Sequence, residues 1–352
     1  MTAAEIDPYQ AARPYYQAEL AGGVERFLEP RRNTCPWCGS TDLSIRLRTS
    51  DLIQRKPGRF TLEQCGSCQH IFQNPRLTPA GLEFYYRDFY DGLGEDLVEK
   101  IFNTAGQSYR GRADILKQFT TPRAWLDVGA GHGHFCRFAR GVWPETVFDG
   151  LDLSVSIEEA QRRGWVDHSY RGEFVALADE LAGEYDVVSM HHYLEHTREP
   201  FDELDAAAKV LSTGNHLLIE LPDPESFFGR VLGRWWIPWF QPQHQHLIPV
   251  RNLVQALTDR GFSTVAIERG QAHQGVDLIF GLIFALIAVA PDPRLPWLAT
   301  EPTPWRRFLH TTVWAVGRPF LVIAHLLDEL LSRVVHRSRG GNTYRVLARK
   351  DG

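Results

Sequence analysis

Leu126-Asp-Val-Gly-Ala-Gly-His-Gly-His-Phe135 decides the fold. A short apolar run, Ala124 to Val128, carries an acid near its end. Glycines follow at alternate positions, and then a helix-forming stretch from Phe135 to Arg140. Glycine lets a backbone turn sharply and approach a ligand closely, and the free N–H groups opening the next helix favour an anionic group. The spacing is GxGxG, whereas a dinucleotide fingerprint reads GxGxxG, which disfavours a nucleotide-dependent oxidoreductase. The second strand, Val147 to Leu153, is followed by Ser154, and Asp152 stands 19 residues after Gly133. That is close to the ~20 residues expected of an acid that accepts both ribose hydroxyls.

Working outward, strands and helices alternate. A helix is expected over Ser156 to Arg163, then strands over Glu173 to Ala176, Tyr185 to Ser189 and His216 to Leu221. Helices Phe201 to Leu211 and Arg251 to Arg260 intervene or follow, the second closed by Gly261. Strands Ser263 to Glu268 and Asn342 to Lys350 complete the set. This order predicts an α/β fold with a parallel, doubly wound sheet.

Upstream lie two CxxC pairs, Cys35-Pro-Trp-Cys38 and Cys65-Gly-Ser-Cys68, with 26 residues between them. Two such knuckles between short β-type runs read as a zinc ribbon, and four thiolates leave no open position for catalysis, so the zinc is expected to be structural. So small a unit needs the metal for its folding energy. Cys136, inside an apolar helix, reads as a core thiol. The organisation expected is a lead-in (1–30), a zinc ribbon (31–76), a helical linker or cofactor lid (77–121), the sheet domain (122–275 and 341–352) and an apolar insertion (276–340).

Composition narrows the class. The chain has 352 residues, 43% hydrophobic and 23% charged, with a net charge of −5. It therefore lacks the basic excess of a nucleic-acid binder. The opening MTAAEIDPYQ shows no apolar signal region, which predicts a cytoplasmic location.

The stretches Leu126 to Phe135, Gly150 to Ser154 and Tyr185 to His196, with Leu218-Ile-Glu-Leu-Pro222 and His244-Gln-His246-Leu, resemble the class I S-adenosylmethionine (SAM)-dependent methyltransferases. The cysteine pairs, Gln73-Asn-Pro75-Arg and Tyr86-x-x-x-Tyr90 are similar to the zinc-binding preface of a subgroup that includes sugar C-methyltransferases. The resemblance implies a Rossmann-like seven-stranded sheet with an antiparallel last strand. It places Gly129, Gly131 and Gly133 under the methionine part of SAM, with Asp127 near its amino group. Asp152 would hold the ribose, Ala178 and Asp179 would border the adenine, and Tyr86 and Tyr90 would close over the cofactor.

Methyl transfer to a hydroxyl or acidic C–H also needs a base. His191, His192, Glu195 and His196 end the fourth strand, and His244 and His246 lie in a later loop; His196 and His246 are the first choices. In some quinone-type O-methyltransferases the Glu-His pair helps bind a divalent ion. The expected acceptor is a small molecule: apolar, lipid-linked or glycosidic. A non-catalytic zinc-ribbon binding protein on the same scaffold is the alternative outside enzymology.

The insertion differs in composition. Val276 to Ala290 has one charge, Asp277, and is shorter than the ~20 residues that span a bilayer. Thr303-Pro304 reads as the start of a long apolar helix, broken or kinked at Pro319. Arginines and tryptophans flank its apolar face, as in helices that lie in a membrane surface. Two readings stand: peripheral membrane contact serving an apolar acceptor, or a helical lid or homodimer interface.

Overall fold

A computed structural model describes residues 7–89, 106–269, 276–335 and 341–351. They form two compact units, one drawn from 1–100, 228–245 and 275–331, the other from 101–227, 246–274 and 332–352. The expected linker 77–121 is thus divided between them, and the ribbon and most of the insertion share a unit.

In the first unit, helix Pro8–Leu20 is capped by Asp7, whose carboxylate accepts from the Tyr9 N–H at 3.0 Å. Strands β1 (Leu43–Thr49), β2 (Phe60–Cys65) and β3 (Ile71–Gln73) run antiparallel in sequence order. Thr78 caps helix Pro79–Tyr86, accepting from the Gly81 N–H at 3.0 Å. The core here is aromatic: Tyr16, Phe27, Phe60, Phe84, Tyr85 and Trp297 are all buried together.

The insertion folds as helices Asp277–Val289 and Pro304–Val335. Thr303 caps the second through its hydroxyl, 3.3 Å from the Arg306 N–H, as its sequence predicts. Pro319 does not break this helix. Pro319 and Ala315, four residues before it, are both exposed, so the carbonyl deprived of an N–H partner lies on the solvent side.

The second unit holds the sheet. Its strands are β4 (Ala124–Val128), β5 (Val147–Asp152), β6 (Ser169–Arg171), β7 (Tyr185–His191), β8 (Leu211–Pro222), β10 (Phe262–Arg269) and β11 (Thr343–Lys350). A two-residue strand, β9 (His246–Leu247), lies outside it. The order is β10-β11-β8-β7-β4-β5-β6, parallel throughout the β6-to-β8 half, with β11 antiparallel to both neighbours. This is the seven-stranded Rossmann-like methyltransferase sheet expected from the sequence. The fold reverses strand order at β4, so the carboxyl ends of β4, β5 and β7 open on a crevice of the kind that holds ligands in such sheets.

One strand was misplaced by the sequence reading. Residues 174–177 form a short helix, not a strand, and the pairing strand β6 comes earlier. The burial explains it: Phe174 and Ala178 are buried while Val175 is exposed, a four-residue period rather than an alternation.

Candidate active site and metal centre

The glycine loop follows β4. Gly129, Gly131 and Gly133 all have φ between 53° and 74°, the left-handed region open to glycine. A Cβ on Gly129 would come 2.5 Å from the Tyr193 ring, whereas one on Gly131 would meet nothing within 4 Å. The loop is therefore packed on one side and open at its middle. The Gly129 and Ala130 N–H groups donate to the Leu151 carbonyl at 2.8 and 3.1 Å. The Gly131 N–H donates to Asp152 Oδ2 and the Ser154 N–H to Asp152 Oδ1, both at 2.8 Å. Asp152 is thus held rigidly at the crevice.

Asp127, on β4, is buried and accepts from the Ser189 hydroxyl at 2.6 Å, which in turn accepts from the Trp125 indole at 2.8 Å. Burial lifts its pKa to about 7, against the pull of the Ser189 bond and Arg112. The Asp127 charge is poised near neutrality.

At the ends of β7 and β8 lies a network that the sequence reading did not foresee. Glu220 is fully buried and receives Arg112 Nε at 2.9 Å and Arg345 Nε, and His192 Nε2 stands 3.1 Å from it as an ion-pair contact. Burial favours its neutral form, but the two guanidiniums hold its pKa well below the usual carboxylate range. His192 has φ +53° and places Nδ1 3.0 Å from Glu195 Oε1. Burial opposes its charge, yet bonds to Glu195 and Glu220 win and bring its pKa to about 9. The clue was present: Glu220 is an acid inside the apolar strand run Leu218 to Leu221. Arg112 and Arg345, far apart in the chain, gave no comparable signal.

The candidate bases separate. Glu195 is buried and bonded to His192, so it positions that ring. His196 is half-buried at the end of the turn Leu194–His196, and β9 brings buried His246 beside that turn. His191 is also buried; its ring lies against Phe135 at 4.5 Å, Nε2 stands 4.0 Å from Asp127 Oδ1, and burial lowers its pKa well below the usual value. His244 belongs to the other unit, its Nδ1 2.8 Å from the Pro238 carbonyl oxygen. Ala178 is buried, and Asp179 is exposed and pairs with Lys209; the carboxyl end of β6 is instead followed by Gly172-Glu173. Tyr86, in the first unit, donates to the Gln243 carbonyl at 3.2 Å, and Tyr90 lies outside the described residues.

In the first unit the four knuckle cysteines converge. Cys35 and Cys68 sulfurs are 3.7 Å apart and those of Cys38 and Cys65 are 3.5 Å apart, with all four within 4.8 Å of one another. A tetrahedron of ~2.3 Å Zn–S bonds has edges of about 3.8 Å, so the set fits that ion. The knuckles repeat one another: Gly39 N–H donates to the Cys35 carbonyl and Gln69 N–H to the Cys65 carbonyl, each at 2.9 Å. Gly39 and Gln69 share the left-handed conformation, so the second knuckle turns without a glycine at that position.

Residues 103–267, just under half of the chain, match a family model described as a methyltransferase domain. The α/β fold, with its mainly parallel seven-stranded sheet, is of the Rossmann-like methyltransferase kind. The chain is 24% identical over 171 residues to a ubiquinone biosynthesis O-methyltransferase of Bordetella avium, covering 46% of this chain and 70% of that protein. It is 23% identical over 177 residues to an uncharacterized protein of Methanocaldococcus jannaschii, covering 50% and 82%. Among solved structures, a SAM-dependent methyltransferase from Archaeoglobus fulgidus aligns at 17% identity and a TM-score of 0.46, over 73% of this chain and 99% of that one.

Glu220→Gln removes the charge that offsets two buried arginines. Breaking a buried pair in this way costs about 3–5 kcal/mol, so thermal unfolding should show a marked loss of stability. An unchanged melting temperature would show that the network carries no such weight. Metal analysis of the purified chain should find one zinc per molecule, and Cys65→Ser should abolish it and raise protease sensitivity in the N-terminal region.

Proposed function

We propose that this chain is a SAM-dependent methyltransferase acting on a small-molecule acceptor, with a structural zinc held by Cys35, Cys38, Cys65 and Cys68. The observation that carries the reading is the crevice at β4 and β5: a glycine loop open at Gly131, whose N–H is tied to Asp152. Bound SAM would supply an electrophilic methyl group on a sulfonium. Asp152 would receive the ribose hydroxyls, and the glycine loop would lie under the methionine part. Asp127 would face the ammonium group, and its charge would favour that cation once ionised.

The chain's task in such a displacement is mainly alignment, since holding reactants in line can remove ~7–11 kcal/mol of barrier. Proton removal from the acceptor is assigned to His196 and His246, which stand on adjacent segments of the sheet unit. His192 is unsuited to that role, because Glu195 and Glu220 keep it charged. The similarity to a ubiquinone biosynthesis O-methyltransferase supports an apolar acceptor.

Calorimetry should show SAM binding and no NAD binding. Asp152→Ala removes charge-assisted hydrogen bonds worth about 1.5–3 kcal/mol each, so affinity should fall by at least about tenfold to a hundredfold. Unchanged affinity would sink the proposal. Wild-type affinity should rise as pH increases through about 7, where the Asp127 carboxyl ionises, and Asp127→Asn should flatten that profile. His196→Gln and His246→Gln should leave SAM affinity intact. At least one of them should lower kcat by about a hundredfold or more, the range for a lost acid–base group.

A further inference from the structure

The shorter helix of the insertion has both ends sealed by side chains. The carboxylate of Asp328, buried on the longer helix, accepts from the Leu278 and Ile279 N–H groups at 3.0 and 2.9 Å, at the start of the shorter one. At its far end the Ala290 carbonyl lies 2.9 Å from His310 Nδ1 and accepts from the Trp314 indole at 3.2 Å. Asp277 accepts from the Trp236 indole at 3.0 Å. Helix-end groups are met by water or by side chains in solution, and must be met by side chains where water is excluded, a condition these ends satisfy.

The longer helix has three faces. Trp314, Gly317, Ala324 and Asp328 are half-buried or buried, and Gly317 is close enough to Leu286 that a Cβ would come within 2.7 Å of it. A second stripe, Phe308, Val316, Phe320, Ile323, Leu327 and Leu330, is apolar at helical spacing and exposed, with Val316 at 62% and Phe320 at 56%. At 1.5 Å per residue, this stripe runs for about 33 Å. The third face carries Arg307, Thr311, Arg318 and His325, all exposed. No helix among the described residues is long and apolar enough to cross a membrane.

We propose that this hairpin lies flat in the surface of an anionic phospholipid bilayer, the Phe308-to-Leu330 stripe among the acyl chains and Arg307 and Arg318 at the headgroups. Charge selects this occupant. Helix Pro304–Val335 has four arginines against two acids, one of them the buried cap Asp328, although the whole chain carries −5. A second copy would bring the same cationic flank and repel it, whereas an anionic lipid surface attracts it. The inference stands apart from the proposed reaction, because it concerns a surface of the other unit.

Flotation of the full chain with phosphatidylglycerol–phosphatidylcholine vesicles tests it. The chain should float with these vesicles, several-fold less with phosphatidylcholine alone, and be released by high salt. The pair Ile323→Glu and Leu327→Glu should weaken partitioning by about tenfold or more, through lost apolar burial, with the melting temperature unchanged. Should that variant fail to fold, Arg307→Glu with Arg318→Glu, on exposed positions, should weaken it in the same sense. Absence of flotation, flotation indifferent to both variant pairs, or a stable dimer in light scattering that the glutamates dissociate without any vesicle binding would overturn the proposal.

Discussion

Two backbone N–H groups, of Gly131 and Ser154, share the carboxylate of Asp152, and the crevice of the sheet unit depends on that junction. It couples the loop after β4 to the turn after β5, two segments that parallel pairing alone leaves independent beyond their strand ends. The loop can make the bond because its glycines adopt left-handed conformations that side chains with a Cβ resist. Close packing on Tyr193 at Gly129 and open space at Gly131 then give the loop one supported and one accessible side. Rigidity and access come from the same three residues.

Charge around this crevice is divided by bonding partner. Asp127 is buried with one hydroxyl donor and is held near neutrality, whereas Glu220 is buried with two arginines and is ionised. The difference is in partners, not burial. His191 and His192 divide in the same way: the first has its charge suppressed by burial and nearby Arg112, while the second, bonded to two carboxylates, is cationic. Adjacent histidines, one ending β7 and one just beyond it, therefore differ in chemistry: His192, with φ +53°, stands against Glu195 and Glu220.

The two units rest on different physics. The sheet unit buries apolar residues on both faces of a parallel array, the arrangement that makes its strands continuous hydrophobic runs. The other unit relies on aromatic packing around Tyr16, Phe84 and Trp297, on four converging thiols, and on side chains that close helix ends. Its sulfur cluster is built from two turns of like geometry, so a tetrahedral ion would join segments with little apolar surface of their own.

Local sequence determined the elements whose signal is short-range. The GxGxG turn, the spacing to Asp152, the two CxxC knuckles, the Thr303 cap and the Gly261 stop are each legible within a few residues, because backbone conformation and ligand spacing are local properties. The short run Glu173 to Ala176 was misread because an apolar tetrapeptide has too few residues to separate a two-residue from a four-residue period. Tertiary structure alone decided the rest. Arg112, Glu220 and Arg345 come from three distant segments, and only strand order makes them partners. Glu195 becomes a positioning group and not a base because His192 takes up its carboxylate. Which histidine meets which acid is a matter of packing in three dimensions, and pairwise charge contacts over such separations leave no periodic trace in the chain.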